Sequence, residues 1–174
     1  MNEKAVLNRK AIQSFIIRQE NELRLETSPN SHVILECTEG LCECFGAELV
    51  PDKPYSLPPG SKLGIFTHGG AKVRITGDCS FAYVSKDTPM QTYLKLAIAL
   101  EQRRVKASRE YDDLKKNEHV PKIITIGQPD SGKSSLVNYL TNFGVRCGRN
   151  PVLVDLDCGQ NGMGVLLKII NKKL

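Results

Sequence analysis

The sequence lacks several features by which common protein classes are recognised. Its apolar runs are far shorter than the about 20 residues that a membrane-spanning helix needs, so we expect no membrane partner. The first residues lack the apolar core of a secretory signal peptide, which favours an intracellular protein. The three histidines are scattered and none has a nucleophile nearby in sequence, which argues against Ser–His and Cys–His hydrolases.

The six cysteines include no C-x-x-C pair and no histidine at zinc-like spacing. Cys42 and Cys44 are separated by one residue in a strand-like run, so their side chains should point to opposite faces. Zinc binding is the weaker alternative here. We expect reduced, mostly buried thiols.

Composition and charge set only broad limits. The chain has 174 residues, enough for one domain or two small ones, and 40% of them are hydrophobic. The net charge of +5 permits contact with nucleic acid without requiring it. Basic residues are concentrated at positions 103–116, where a solvated helix face explains them more simply than an RNA track.

The most informative segment is 123–135, a short apolar run followed by G-x-x-x-x-G-K-S and a helix-like pattern. Strand, glycine loop and helix in this order are the context of a P-loop. Its glycines let backbone N–H groups surround phosphate oxygens, and the helix N-terminus adds a partial positive charge. Lys133 would reach the β- and γ-phosphates, and the Ser134 hydroxyl would bind Mg²⁺. An ordinary glycine turn is the alternative to this nucleoside-triphosphate site.

The first half of the chain predicts a small β-sandwich and a helix. Within a predicted domain of residues 1–87, short alternating runs separated by turn residues extend from Leu23 to Val84, and the first 20 residues form an extended lead-in. Residues 88–119 predict a linker helix in which Thr88 is the N-cap and Pro89 occupies N1.

The remaining residues, 120–174, predict a P-loop domain. A strand at 123–127, a helix from Lys133 to Arg146 and a buried-type strand at 152–157 would form one βαβ unit. The chain as a whole is therefore predicted to be of the α/β class. It would combine a small N-terminal β-sandwich, a linker helix and an incomplete P-loop NTPase domain with a parallel sheet.

Asp157 is the candidate second ligand of the metal. It ends the second predicted strand, and open parallel sheets bind ligands at the carboxyl ends of their strands. Its carboxylate would bind Mg²⁺ and accept the proton of the attacking nucleophile. Asp155, two residues earlier on the same face, is a rival, and an ordinary surface acid is the other alternative. Gln160 either orients water or a substrate hydroxyl, or is an ordinary turn residue.

Five segments carry a resemblance to a known family. They are Glu-Asn-Glu-Leu-Arg at 20–24, Phe-Gly-Ala-Glu-Leu at 45–49, Ala-Tyr-Val-Ser-Lys-Asp-Thr-Pro-Met at 82–90, the P-loop, and Asp-Leu-Asp-Cys-Gly-Gln at 155–160. Through them the chain resembles, over about residues 15–162, the polyribonucleotide 5′-hydroxyl kinases of the Clp type. These occur in the pre-mRNA cleavage factor and are linked to tRNA splicing.

The resemblance implies an ATP site with parts from both domains. Glu22 and Lys62, which composition alone would class as surface charges, would contact ATP. The phosphates would be wrapped by the loop residues Asp130, Ser131, Gly132, Lys133, Ser134 and Ser135. Lys133 and Asp157 would carry the chemistry, with Mg²⁺ on Ser134 and Asp157.

The resemblance also implies a substrate, partners and a location. The reaction would be the ATP-dependent phosphorylation of RNA 5′-hydroxyl ends in the nucleus. The partners would be the cleavage-factor scaffold protein and subunits of the tRNA-splicing endonuclease. A non-catalytic, ATP-bound scaffold subunit of the cleavage and polyadenylation machinery is the alternative. An unrelated P-loop ATPase or GTPase is weaker, since no guanine-reading N-K-x-D motif is present.

The residues after Gly162 depart from the family pattern. In the family this region is followed by the rest of the parallel sheet, a lid with transition-state arginines, an RNA clamp and a C-terminal domain. We therefore expect a shortened form. Because such arginines contribute about 10³–10⁵ in rate, it should be weak or inactive as a kinase.

Overall fold

The computed structural model describes residues 11–111 and 121–154, which contain nine strands and two helices. The strands are β1 Ile12–Ile17, β2 Glu22–Thr27, β3 Val33–Gly40, β4 Glu43–Cys44, β5 Ala47–Glu48, β6 Tyr55–Leu57, β7 Lys62–Phe66, β8 Ala71–Thr76 and β9 Cys79–Ser85. The helices are α1 Met90–Tyr111 and α2 Lys133–Arg146. The chain divides into two compact units, Met1–Cys44 with Glu48–Thr88, and Phe45–Ala47 with Pro89–Leu174.

The strands form two antiparallel sheets, ordered β1-β8-β3-β6 and β5-β4-β7-β2-β9. Side chains alternate between core and solvent: on β8, Val73 and Ile75 are buried whereas Lys72 and Arg74 are exposed. Leucine, isoleucine and valine side chains of both sheets form the core. The predicted β-sandwich is confirmed.

The start of the described chain differs from the predicted lead-in. Ile12–Ile17 form a regular strand, with Ile12 opposite Thr76 and Ile17 opposite Ala71. Ile12 and Ile16 are exposed, so the strand lacks the usual pattern of apolar residues inward and polar residues outward. The segment forms a strand because it pairs with β8, which is distant in sequence, and not because of its own pattern of apolar residues.

Both predicted helices are present. Helix α1 begins at Met90, one residue after the predicted start, and buries Met90, Ala97, Leu100 and Ala107 along one face. The end of the predicted linker, 112–119, lies outside the described residues. Helix α2 spans Lys133–Arg146 as predicted.

The predicted parallel sheet is not seen. Within the described residues 121–154 there is no strand, although strands were predicted at 123–127 and from 152. Ile124, Ile126 and Val152 are 76%, 90% and 89% exposed, whereas parallel strands need both faces covered. An apolar run identifies a segment able to join a sheet, but pairing requires neighbours that these segments lack among the described residues. In the described part of the chain, no helix is long and apolar enough to cross a membrane.

Candidate phosphate-binding loop and its surroundings

Two glycines shape the loop that enters α2. A Cβ added at Gly127 would lie 2.9 Å from Ser131 Oγ, so a side chain there would force the Ser131 hydroxyl to move. Gly132, which precedes the first residue of α2, has a left-handed backbone with φ of 82°. Asp130 is also left-handed, with φ of 59°. The left-handed backbone at Asp130 and Gly132 makes the turns by which the loop enters α2, a conformation typical of anion-binding loops.

The loop is closed on the carbonyl oxygen of Gln128. The Ser131 hydroxyl donates to this oxygen at 2.8 Å, and the Lys133 ammonium donates to it at 2.5 Å. Lys133 is thus held over the loop, within reach of any anion bound there. Ser134 is exposed and Ser135 half-buried in the first turn of α2, which has no side-chain cap.

A cavity of about 360 Å³ adjoins the loop. Its lining combines loop and α2 residues with the preceding apolar segment and one residue of α1: Ser131, Gly132, Lys133, Leu136, Ile124, Thr125, Ile126 and Tyr93. Sequence analysis did not single out Tyr93 as a site residue. Its helical spacing on α1 was visible, but its position beside the loop depends on how α1 and α2 pack.

Helix α2 is anchored within its unit by the turn at 45–46. The buried side chain of Asn142 donates to the carbonyl oxygen of Phe45 at 2.8 Å, and Arg146 donates to that of Gly46 at 3.2 Å. A Cβ at Gly46 would lie 3.2 Å from Tyr139 Cδ2, so glycine permits this close approach. The helix that carries the loop residues is therefore fixed by contacts distant in sequence.

Glu22 occupies a constrained, buried position on β2. Its carboxylate accepts hydrogen bonds from Arg24 Nε at 3.3 Å and from the Thr88 hydroxyl. Thr88, predicted as a helix cap, thus bonds a residue 66 positions away. Arg24 also donates to the carbonyl oxygen of Asp87. This carboxylate is oriented by its neighbours, unlike an ordinary surface charge.

A second buried glutamate, Glu43, shares a row of the sheet with Glu22. Strand β7 lies between β2 and β4, and its Phe66 is opposite Glu22 on β2 and opposite Glu43 on β4. Burial, with smaller contributions from these two carboxylates, raises the pKa of the nearby Cys44 thiol to about 12. Sequence analysis missed Glu43, although alternation in Cys42-Glu43-Cys44 implies that it faces away from its neighbours.

Lys62 lies away from Glu22 on the same sheet. Lys62 is opposite Glu26, which lies four residues after Glu22 on β2. At a rise of about 3.4 Å per residue, the backbone positions of Glu22 and Glu26 are about 14 Å apart. The Lys62 side chain is 76% exposed, and its ammonium is 3.7 Å from Glu26 Oε2. The structure therefore does not bring Glu22 and Lys62 into contact, although both point to one face.

The predicted metal ligands are only partly described. Ser134 is described, whereas Asp157, its rival Asp155 and Gln160 lie outside the described residues. Among residues 11–111 and 121–154, no group of three or more His, Cys, Asp or Glu side chains could hold a metal ion. Cys37, Cys42 and Cys44 are buried free thiols, Cys79 is half-buried, and Cys147 is exposed.

Two family descriptions match the chain over most of its length. The N-terminal β-sandwich domain of polyadenylation factor Clp1 matches residues 16–107, more than half of the chain. The P-loop of the mRNA cleavage and polyadenylation factor Clp1 matches residues 127–167. The chain belongs to the Clp1 family. The loop described above is therefore the Clp1-family P-loop, which indicates nucleotide binding.

Individual relatives carry the same family name. The polyribonucleotide 5′-hydroxyl-kinase Clp1 of Xenopus laevis is 45% identical over 151 residues, covering 87% of this chain and 33% of the relative. That of Homo sapiens is 39% identical over 165 residues, covering 95% and 37%. The chain spans about a third of the length of the curated relatives that it matches.

Solved structures share the Clp1-family fold. The structure of a wild-type Clp1p–Pcf11p complex matches with a TM-score of 0.64 and 19% identity, covering 79% of this chain and 30% of that one. A second structure, of an extended interface between Pcf11p and Clp1p, matches with the same TM-score and 18% identity, covering 79% and 31%. At these identities the likeness concerns the fold alone.

Proposed function

We propose that this Clp1-family chain binds ATP at the 127–135 loop, as part of a polynucleotide 5′-hydroxyl kinase of pre-mRNA 3′-end processing and tRNA splicing. The observation that carries the proposal is the loop from Gly127 to Gly132, whose left-handed Gly132 leads into α2 with Lys133 held over the loop. A glycine turn, a helix N-terminus and one lysine together suit the phosphates of a nucleotide.

In this proposal the loop holds the phosphate chain. N–H groups of residues 130–135 donate to the phosphate oxygens, and the Lys133 ammonium moves from the Gln128 carbonyl oxygen to the β- and γ-phosphates. The exchange is favourable because a charged phosphate is a stronger acceptor than a neutral carbonyl group. Phosphoryl transfer depends on such positioning and charge neutralisation.

The Ser134 hydroxyl would hold Mg²⁺ together with Asp157. Its exposed position in the first turn of α2 suits this ligand, since Mg²⁺ takes oxygen ligands and usually binds through one or two carboxylates and the substrate phosphates. The metal supplies charge neutralisation at the transferred phosphoryl group. Asp157 would also accept the proton from the RNA 5′-hydroxyl.

Glu22 and Lys62 would contact ATP. The Glu22 carboxylate is oriented by Arg24 and Thr88, so it could accept a hydrogen bond from an amino group at little further entropic cost. To reach ATP, the exposed Lys62 ammonium would have to leave the Glu26 carboxylate. This costs little, because solvent screens the ion pair between them.

The first experiment is calorimetric titration of the chain with ATP and Mg²⁺. We expect binding that Lys133→Ala abolishes and that Lys122→Ala, at an exposed lysine just before the loop segment, leaves unchanged. Absence of binding to a folded wild-type chain would refute the proposal. If binding is found, any transfer of γ-phosphate to a 5′-hydroxyl oligoribonucleotide, which we expect to be weak in this short chain, should depend on Lys133 and Mg²⁺.

A non-catalytic scaffold is the second candidate. It is favoured by the exposed apolar side chains of Ile124, Ile126, Val152 and Val154, which offer contact surface, and by the Clp1p–Pcf11p complexes among the similar structures. The cleavage-factor scaffold protein and the tRNA-splicing endonuclease subunits are the proposed nuclear partners. Capture of a nuclear partner by the ATP-bound chain would favour this role, whereas phosphate transfer to RNA that depends on Lys133 would argue against it.

A further inference from the structure

We propose that Tyr93 of α1 is a positioning residue of the P-loop: it fixes the turn at Gly132 through which the loop enters α2. The proposal rests on nucleotide binding at this loop and adds a residue that lies outside the P-loop pattern. Tyr93 is 30 or more positions before the loop in sequence, and only the packing of α1 against α2 brings it there.

The Tyr93 hydroxyl occupies the space beside Gly132. A Cβ added at Gly132 would lie 3.2 Å from the hydroxyl oxygen and, among the described residues other than the two chain neighbours of Gly132, would meet no other heavy atom within 4 Å. Tyr93 also lines the cavity beside Ser131, Gly132 and Lys133. The phenol end of the side chain therefore faces the one glycine whose left-handed backbone joins loop and helix.

The ring of Tyr93 is itself held in place. Its centroid is 5.8 Å from that of Tyr139, at an interplanar angle of 53°, and Tyr139 stacks on Phe143 at 6.4 Å. Tyr139 is only 1% exposed. Because α2 supplies these two aromatic residues, the helix that follows Gly132 also holds the Tyr93 ring in place.

Restricting Gly132 matters because glycine samples many backbone conformations and loses much entropy when ordered. If a neighbouring residue already restricts this turn in the free protein, less conformational entropy is lost when the ligand binds. The N–H groups that follow the turn then keep the direction that phosphate requires. Loosening the turn should weaken the phosphate contacts without unfolding α2.

The test uses two variants and one control. Tyr93→Phe removes the hydroxyl and Tyr93→Leu removes the ring. Tyr55→Phe is the control, because it removes a hydroxyl that accepts a hydrogen bond from the Val50 N–H at 2.8 Å in the other unit. The control therefore loses a tyrosine hydroxyl contact without altering the loop.

The first measurement is amide hydrogen exchange in the nucleotide-free chain. The Leu136 N–H donates to the carbonyl oxygen of Gly132 at 3.0 Å, so its exchange reports on this turn. In both Tyr93 variants we expect Leu136 to exchange about three- to tenfold faster, while Leu140 in the middle of α2 keeps its rate. Unchanged exchange at Leu136 in both variants would overturn the proposal, as would equal acceleration along all of α2.

The second measurement is binding of tripolyphosphate and of ATP, each with Mg²⁺. We expect Tyr93→Phe and Tyr93→Leu to bind both about three- to tenfold more weakly, since the phosphate contacts are affected, and Tyr55→Phe to bind as wild type. If the wild-type chain binds neither ligand, nucleotide binding fails, while exchange at Leu136 still decides whether Tyr93 fixes the turn. Wild-type affinity in both Tyr93 variants would contradict the positioning role.

Discussion

The carboxylate of Glu22 occupies the space above Gly64 on the neighbouring strand. A Cβ at position 64 would lie 2.5 Å from Glu22 Oε1 and 3.0 Å from its Cδ. The backbone of Gly64 is not left-handed, so it would accept an alanine. The obstacle to an alanine at this position is the Glu22 side chain. Substitution at 64 therefore tests the position of Glu22 without removing its charge.

We predict that Gly64→Ala displaces the Glu22 carboxylate and leaves the sandwich folded. The free energy of unfolding should fall by about 1–3 kcal/mol, because the displaced, buried carboxylate loses its hydrogen bonds from Arg24 and Thr88. If Glu22 contacts ATP, affinity should fall about three- to tenfold. Calorimetry and urea unfolding measure the two effects.

Gly69→Ala is the matched control for this substitution. A Cβ at Gly69 would meet no heavy atom of the described residues within 4 Å, its chain neighbours apart, and its backbone is also not left-handed. It should keep wild-type affinity for ATP. Equal affinity in Gly64→Ala and Gly69→Ala would show that the position of Glu22 is irrelevant to the nucleotide.

Asn142 is predicted to stabilise the second unit through its contact with Phe45. Asn142→Ala leaves the carbonyl oxygen of the half-buried Phe45 without its 2.8 Å donor, which should lower the free energy of unfolding by about 1–3 kcal/mol. Urea unfolding followed by far-ultraviolet circular dichroism measures the loss. Asn138→Ala, at a half-buried position on the same helix, should cost much less. Similar losses in the two variants would contradict a specific role of the amide.

Local patterns were sufficient to predict the loop and α2. The order of apolar run, G-x-x-x-x-G-K-S and helical spacing places every determinant within about 25 residues, so Gly132 and Lys133 could be located from sequence. Strands such as β7 and β8 were likewise predictable, because they alternate between buried and exposed residues or are bounded by turns.

Features that depend on distant residues were not predictable in this way. The bond from Thr88 to Glu22 and that from Asn142 to Phe45 join residues 66 and 97 positions apart. Tyr93 showed only helical spacing, which does not reveal its neighbour Gly132. The strand predicted at 123–127 failed for a related reason, since an apolar run does not report whether partner strands are available.

Cysteine reactivity should separate buried from exposed thiols. Burial raises the pKa of Cys44 to about 12, so at pH 8 about one thiol in ten thousand is the reactive thiolate. Burial also raises the pKa of Cys42. We predict that iodoacetamide at pH 8 modifies the exposed Cys147 first and leaves Cys42 and Cys44 unmodified until urea unfolds the chain. Peptide mass spectrometry measures this order, with Cys147→Ser as the control; early modification of Cys44 would contradict its burial.

Glu101 should make the stability of the second unit depend on pH. Its carboxylate accepts hydrogen bonds from Arg149 Nε at 2.9 Å and Nη2 at 2.6 Å, and from Arg104 at 3.3 Å. The bonds from Arg149, followed by those from Arg104, hold the pKa of Glu101 below its ordinary value of 4.5. Because the folded-state pKa is lowered, this stabilisation is present above pH 4.5 and is lost as the pH falls through the lowered value.

We therefore predict that Glu101→Gln lowers the urea midpoint at pH 7 and that its difference from wild type shrinks steadily below pH 4.5. A double-variant cycle with Arg149→Met isolates the pair from Arg104. The coupling between positions 101 and 149 should be favourable at pH 7 and disappear in acid, because only the ionised carboxylate attracts the guanidinium group. A coupling that persists unchanged at pH 2 would show that packing of the Arg149 side chain, and not its charge, holds the two positions together.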